Sequence, residues 1–178
     1  MNYHGTTIIG MVKDGRAVIA GDGQVTLGEM VIKGNASKVR YLADGTVLAG
    51  FAGAAADGLA LLSRFENKLA EHNDLLRAAV ELAKEWRTDK YLRRLEAELA
   101  VLNTEKALIL TGAGDVLEPE NNIVAIGSGA GYATAAARAL FKHAKKMPIA
   151  KIARESLEIA SQICIYTNSN ITLLELGD

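Results

Sequence analysis

The chain has 178 residues, a formal net charge of −1 and one cysteine, Cys164; this is the size of a single domain that buries its own core, with no internal disulfide framework. The near-neutral balance leaves no footprint for nucleic acid or an anionic membrane surface, and no apolar run approaches the ~20 residues of a membrane span, so a soluble cytoplasmic protein is expected. Hydrophobic residues make up 49% but aromatic ones only 5%, so the core must be built from Ala, Val, Ile and Leu, and the many alanines suit close helix packing, including between subunits.

The chain opens with the leader Met1-Asn2-Tyr3-His4-Gly5 and the pair Thr6-Thr7, which runs into the apolar stretch Ile8-Ile9-Gly10-Met11-Val12. An internal threonine hydroxyl is a poor nucleophile, whereas a threonine at a new N-terminus carries its own base. An α-amine titrates near ~7.7–8.0, far closer to neutrality than lysine at ~10.4. The leader lacks the basic start and apolar core of a secretory signal, so exposing Thr6 requires an internal cut after Gly5. Removing Met1 alone exposes Asn2. Gly5-Thr6-Thr7 also reads simply as a strand start, since threonine favours strands and glycine their boundaries.

Short β-branched runs separated by Asp-Gly pairs mark the first third as hairpins, at Asp14-Gly15 and Asp44-Gly45, with a looser turn at Gly112-Ala113-Gly114-Asp115. From Ala54 to about Arg94 the period becomes helical, with Leu59, Leu62, Phe65 and Leu69 on one face and Leu76, Val80, Ala83 and Trp86 on another. A break near His72-Asn73-Asp74 divides two helices, with Asn73 or Asp74 as cap of the second. Strands return at Lys106–Thr111, Val116–Leu117 and Ile123–Ile126, followed by helices near Tyr132–Lys145 and Ile149–Ile163 and a last strand over Ile171–Leu176. Pro148 suits a helix start and Pro119 a polar connector. This order does not alternate as parallel βαβ units would. It predicts an α+β fold, a four-layer α/β/β/α sandwich with antiparallel sheets in one domain.

Hairpin arithmetic adds a chemical expectation. A two-residue loop at Asp14-Gly15 pairs Lys13 with Arg16 and therefore Thr7 with Asp22, while the loop at Asp44-Gly45 pairs Lys38 with Phe51 and leaves Gly50 one step away. Each half thus offers useful residues near a strand end: Thr6 with Asp22, and Lys38 with Gly50. If the halves meet, Lys38 supplies a fixed cation that favours the neutral α-amine and negative charge on Thr6 Oγ, and Asp22 holds the lysine. A unit charge ~4 Å away is worth up to about 4 kcal/mol at an effective dielectric of ~20. The Gly50 N–H is then a candidate oxyanion donor. Taken singly, Gly21-Asp22-Gly23 also reads as a turn and Lys38 as a solvated strand charge.

The segments Ala20-Gly21-Asp22-Gly23-Gln24-Val25-Thr26-Leu27-Gly28, Lys33-Gly34-Asn35, Lys38-Val39-Arg40, Ala49-Gly50-Phe51-Ala52-Gly53, Glu85-Trp86-Arg87-Thr88-Asp89, Ala125-Ile126-Gly127-Ser128-Gly129 and Ile163-Cys164-Ile165-Tyr166-Thr167-Asn168 stand in this order behind Thr6-Thr7-Ile8. Together they closely resemble the HslV family, bacterial proteasome-like peptidases that work with the ATPase ring HslU. The resemblance implies an N-terminal nucleophile hydrolase fold and a homododecamer of two stacked hexameric rings enclosing the active sites. It also implies threonine endopeptidase activity that stays weak until AAA+ HslU-type hexamers dock, unfold protein substrates with ATP and thread them inside. By position Thr6 matches the nucleophile, Asp22 and Lys38 its charged neighbours, Gly50 the oxyanion donor and Ser128 a supporting hydroxyl. The resemblance further implies a sodium ion on the backbone carbonyls of Ser161, Cys164 and Thr167. Ser161 stands where the family pattern has glycine, a departure of little weight when only the carbonyl is a ligand. The leader is the clearest departure, because many relatives need lose only an initiator methionine. The expected mature subunit is 6–178 and the propeptide 1–5, with autocatalytic trimming by Thr6 attack on Gly5. A nonenzymatic ring subunit is the alternative reading.

Other signals carry less. Gly127-Ser128-Gly129-Ala130-Gly131 looks like a dinucleotide-binding turn, yet Tyr132 takes its third fingerprint position and the next acidic residue is Glu155. No nucleotide is therefore expected on this chain. Cys164 fits a buried small residue better than a thiol nucleophile, and His4, His72 and His143 have no metal-ligand spacing. The cluster Lys142-His143-Lys145-Lys146 suits a helix C-terminus.

Overall fold

Alternation of side chains along its strands is what stacks this chain into layers. The structure, a computed structural model, describes residues 3–177; Met1 and Asn2, the start of the leader, and Asp178 lie outside the described residues. In chain order the elements are β1 (Tyr3–His4), β2 (Thr7–Lys13), β3 (Arg16–Gly21), β4 (Val25–Leu27), β5 (Met30–Lys33), β6 (Val39–Leu42), β7 (Val47–Gly53), α1 (Ala55–His72), α2 (Leu75–Thr88), β8 (Ala97–Leu102), β9 (Ala107–Thr111), β10 (Val116–Leu117), β11 (Ile123–Gly127), α3 (Ala130–His143), α4 (Ile149–Ile163) and β12 (Thr172–Leu176). One sheet runs β10-β9-β8-β7-β6, the second β11-β2-β3-β12, and a small third β1-β4-β5. All pairings are antiparallel.

Odd and even residues of each central strand enter different cores. Ala49, Phe51, Leu99 and Val101 face α1 and α2. Ile8, Ile19, Leu48, Ala100 and Leu102 meet between the sheets. Ile9, Met11, Val18 and Ala20 pack under Ala133, Ala137, Ile152, Ala153 and Leu157 of α3 and α4. The result is the expected four-layer α/β/β/α sandwich.

Both Asp-Gly turns set the expected registers. Lys13 pairs with Arg16 and Ile8 with Gly21, and Leu42 pairs with Val47 and Val39 with Gly50. Asp14, Gly15, Asp44 and Gly45 all take positive φ, as such turns require. The helix pair also forms as expected: Asn73 ends α1 in the left-handed conformation, and the Asp74 carboxylate caps α2 by accepting the Arg77 N–H at 2.7 Å.

The structure adds one strand and corrects two expectations. Ala97–Leu102, which the sequence pattern leaves unassigned, is a strand at the centre of its sheet, although residues 95–100 (Leu-Glu-Ala-Glu-Leu-Ala) are locally helix-favouring; pairing on both sides overrides propensity. Helix α2 stops at Thr88, where Asp89 turns extended. The buried stripe is also shifted: Leu61, Leu62, Phe65 and Leu69 are inside while Leu59 is 44% exposed, and Leu75, Ala78, Ala79, Leu82, Ala83 and Trp86 are inside while Leu76 is 36% exposed. Val80 is only half-buried. Gly58 and the alanines set the stripe because α1 lies so close to β7 that a Cβ on Gly58 would meet the Phe51 ring at 2.0 Å. Among the described residues no helix is long and apolar enough to cross a membrane.

Candidate active site

Strands β2 and β3 end together at one edge of the sandwich. The Asp22 N–H donates to the Thr7 carbonyl at 3.1 Å, and the Thr7 N–H donates to Asp22 Oδ1 at 2.8 Å. The opposite oxygen of Asp22 accepts the N–H of Gln24 at 3.0 Å and of Asn168 at 3.2 Å. Lys38, at the mouth of β6, reaches across to Asp22 Oδ1 at 2.9 Å, so the two hairpin halves do meet. Asp22 is fully buried and Lys38 5% exposed. With four donors on its two oxygens, Asp22 is an orienting anion. Burial pushes the Lys38 ammonium below the ordinary value of 10.5, and the charge and hydrogen bond of Asp22 work against that shift.

Thr6 lies between these groups at 8% exposure. Its hydroxyl donates to the Gly5 carbonyl at 2.7 Å, and Lys38 Nζ donates to the same oxygen at 2.7 Å and to the Gln24 carbonyl. Two donors thus polarise the carbonyl of the Gly5–Thr6 peptide. The Thr6 carbonyl is held in turn by the Ser128 N–H at 2.9 Å. Gly127, at φ +90°, permits that approach; a Cβ there would sit 2.0 Å from the Thr6 carbonyl oxygen. The Gly129 N–H donates to Thr7 Oγ1 at 2.9 Å, and Thr7 and Thr167 share a hydroxyl hydrogen bond at 2.6 Å. The glycine-rich turn at 127–129 therefore spends two of its amides on the threonine pair.

Thr6, Asp22, Lys38 and the turn bearing Ser128 come together as expected; Gly50 does not join them. The Ala54 N–H donates to Glu96 O at 3.2 Å, and pairing runs unbroken from Leu48 opposite Leu102 to Gly53 opposite Ala97. By antiparallel alternation Gly50 and Ala52 then turn their amides into the β8 ladder, while Phe51 and Gly53 turn theirs the other way. The Gly50 N–H is spent on the sheet, and a Cβ built there would point into the inter-sheet core at Ile8 and Val39. Strand β6 begins at Val39, opposite Gly50, so the Gly53 amide runs past its end into open space beside Thr6. Gly53 has φ +109°, and a Cβ would lie 2.3 Å from the Glu96 carbonyl oxygen. Thr7, Gln24, Gly53 and Asn168 are the residues that sequence reasoning did not place in the site.

Two cavities meet at the Gly5–Thr6 bond. One, about 560 Å³, is lined by Phe51, Leu59, Val25, Ala54–Ala56, Lys38 and Arg40, and includes Gly53. The other, about 250 Å³, is lined by Ser128, Gly127, Glu96 and Glu98. Ser161, Cys164 and Thr167 lie at and beyond the C-terminus of α4, whose last carbonyls have no helical partner. The Thr167 N–H donates to the Cys164 carbonyl at 3.1 Å, which draws these two carbonyls into one turn and leaves each an oxygen lone pair. Hard oxygen donors at the negative end of a helix dipole fit a small cation. Cys164 itself is buried, and among the described residues no group of three or more His, Cys, Asp or Glu side chains could hold a metal.

This sandwich, with a threonine at the edge where its two sheets open, defines the fold of a proteasome subunit, and the model of the proteasome subunit family matches residues 2–176. The chain is 58% identical over 172 residues to the ATP-dependent protease subunit HslV of Chlorobium luteolum, covering 96% of this chain and 94% of that one. It is 57% identical over 176 residues to HslV of Paramagnetospirillum magneticum, covering 98% and 96%. The crystal structure of eukaryotic HslV from Trypanosoma brucei superposes with a TM-score of 0.91 at 47% identity, covering 97% of this chain and 99% of that one. The chain belongs to the HslV family. BPH of Thiobacillus denitrificans, solved with epoxomicin, shares the fold at a TM-score of 0.76 and 21% identity, over 96% of this chain and 97% of that one.

Proposed function

We propose that this chain is the peptidase subunit of an ATP-dependent protease and that, once the Gly5–Thr6 bond is cut, the Thr6 hydroxyl is its nucleophile. The observation that carries the reading is the convergence of Thr6 Oγ and Lys38 Nζ on one carbonyl oxygen, that of Gly5. In the uncut chain these two donors polarise the Gly5 carbonyl for attack. Thr6 Oγ adds to the Gly5 carbonyl carbon, its proton passes by way of water to the departing Thr6 nitrogen, and an ester between Gly5 and Thr6 Oγ results. Water hydrolyses the ester, releasing the leader with a Gly5 carboxylate and leaving Thr6 with a free amine.

In the trimmed subunit the Thr6 amine takes the hydroxyl proton as Oγ attacks a substrate carbonyl, then delivers it to the leaving amine. Lys38 keeps that amine neutral and stabilises charge growing on Oγ; Asp22 keeps Lys38 in place. The Gly53 amide is the oxyanion donor in this account, replacing Gly50. Ser128 holds the Thr6 carbonyl through its amide and places its hydroxyl at the cavity wall. A sodium ion would sit on the carbonyls of Ser161, Cys164 and Thr167, and it would stiffen the turn that presents Thr167 to Thr7 and Asn168 to Asp22.

The names of the relatives support an ATP-dependent assembly, and we extend this to a cytoplasmic dodecamer of two hexameric rings that receives unfolded chains from an HslU-type ATPase. Strand β5 supports burial in an assembly, since Met30, Val31 and Ile32 are each more than half exposed and a free monomer rarely shows so much apolar surface in one place. Peptide hydrolysis by the purified protein with an HslU-type ATPase and ATP tests the reading. Thr6→Ala lowers the rate by about 10³-fold or more; retained hydrolysis would contradict it, and would leave a nonenzymatic ring subunit as the alternative.

A further inference from the structure

The smaller cavity beside Thr6 carries charge that attack by Thr6 does not need. Glu98 stands in β8 in step with Ala100 and Leu102, which fill the core between the sheets, so its position turns a carboxylate toward the mouth of the inter-sheet space. It lies opposite Ala52 of β7 and accepts the Gly127 N–H at 3.2 Å, a bond that ties it to the turn bearing Ser128. Glu96 lines the same cavity, and no lysine or arginine does so among the described residues. The other cavity has the opposite character, largely apolar with Lys38 and Arg40 as its charged lining residues.

We propose that Glu98, assisted by Glu96, selects substrates with a basic residue immediately after the scissile bond. The inference rests on Thr6 as nucleophile. Gly53 borders both cavities; the acyl part of the substrate is assigned to the apolar one, which Phe51, Val25 and Leu59 line together with Lys38. The leaving amine then extends past Ser128 into the acidic cavity, whose ~250 Å³ accommodates one side chain. A lysine or arginine there meets two carboxylates, whereas an acidic residue meets like charge, so selection has an attractive and a repulsive part. Glu98 is exposed at the rim, so the discrimination is that of a partly screened pair, about fivefold in kcat/KM for lysine over glutamate.

The test uses the assembled, trimmed protein with its ATPase and ATP on internally quenched peptides that differ only in Lys or Glu after the cleaved bond. A peptidyl aminomethylcoumarin, which has no amino acid on that side, is the control substrate for the unaltered protein. The expected result is about a fivefold preference for lysine that shrinks as salt is raised and falls to within twofold in Glu98→Gln, whose amide oxygen still accepts the Gly127 N–H. Equal rates on the two peptides, a preference unaffected by salt, or one that survives in both Glu98→Gln and the Glu96→Gln, Glu98→Gln double variant overturns the proposal while coumarin hydrolysis continues. Failure of the unaltered protein to hydrolyse the coumarin peptide overturns the peptidase reading itself, and this inference with it.

Discussion

A buried ammonium held between the Asp22 carboxylate and the Gly5 carbonyl is the centre of this site, and in the proposed mechanism its protonation sets the pH dependence. Burial lowers the Lys38 pKa below 10.5, so an unfolded chain keeps this proton at pH values where the folded chain has lost it. Between those two values the unfolded state binds more protons, and stability relative to Lys38→Met rises with pH. Urea denaturation of both proteins across the alkaline range checks the sign. Activity in the proposed mechanism runs the other way: the charged lysine is the working form, so the alkaline limb of kcat/KM falls below 10.5, and the acid limb belongs to the Thr6 amine, whose neutral form is the base. Asp22→Asn leaves Lys38 as a buried charge without its counter-ion, and a loss of about 3–5 kcal/mol is expected in thermal or urea unfolding. Thr6, Asp22 and Lys38 were legible in the sequence because tight Asp-Gly turns fix which residues stand opposite. Gly53 was not. Register alone does not say toward which neighbour an amide points, and the phase comes from β8, the strand whose helix-favouring residues hid it.

At the scale of elements, each layer is held by a different face of the same strands, so the four-layer order followed from alternating apolar residues and the two helix pairs. What the pattern missed were places where a small residue sets the contact. Leu59 turns toward the apolar cavity because Gly58 carries the contact with Phe51 instead. Leu59→Ser therefore alters substrate choice with little loss of stability, whereas Leu62→Ala leaves a cavity in the core and costs about 2–5 kcal/mol. Comparing the two by thermal unfolding separates the observed stripe from the one the periodicity suggested. Asp74 is the local signal that succeeded, and Asp74→Ala should cost about 1 kcal/mol by loss of the α2 cap.

For the whole molecule the central claim is that a threonine made internal by its leader becomes the nucleophile when that leader is removed. Strand β1 adds to β4 through Tyr3 opposite Leu27 and His4 opposite Thr26, which holds Gly5 within reach of Lys38 Nζ. Sequence could name the bond but not this clamp, since so short a strand has no pattern of its own. The most direct measurement is tandem mass spectrometry of active protein after reaction with a peptide epoxyketone, a reagent that closes a ring with a hydroxyl and an α-amine of one residue. The account predicts an adduct on an N-terminal peptide beginning at Thr6. An adduct on another residue, or active protein that still carries Gly5, would contradict it.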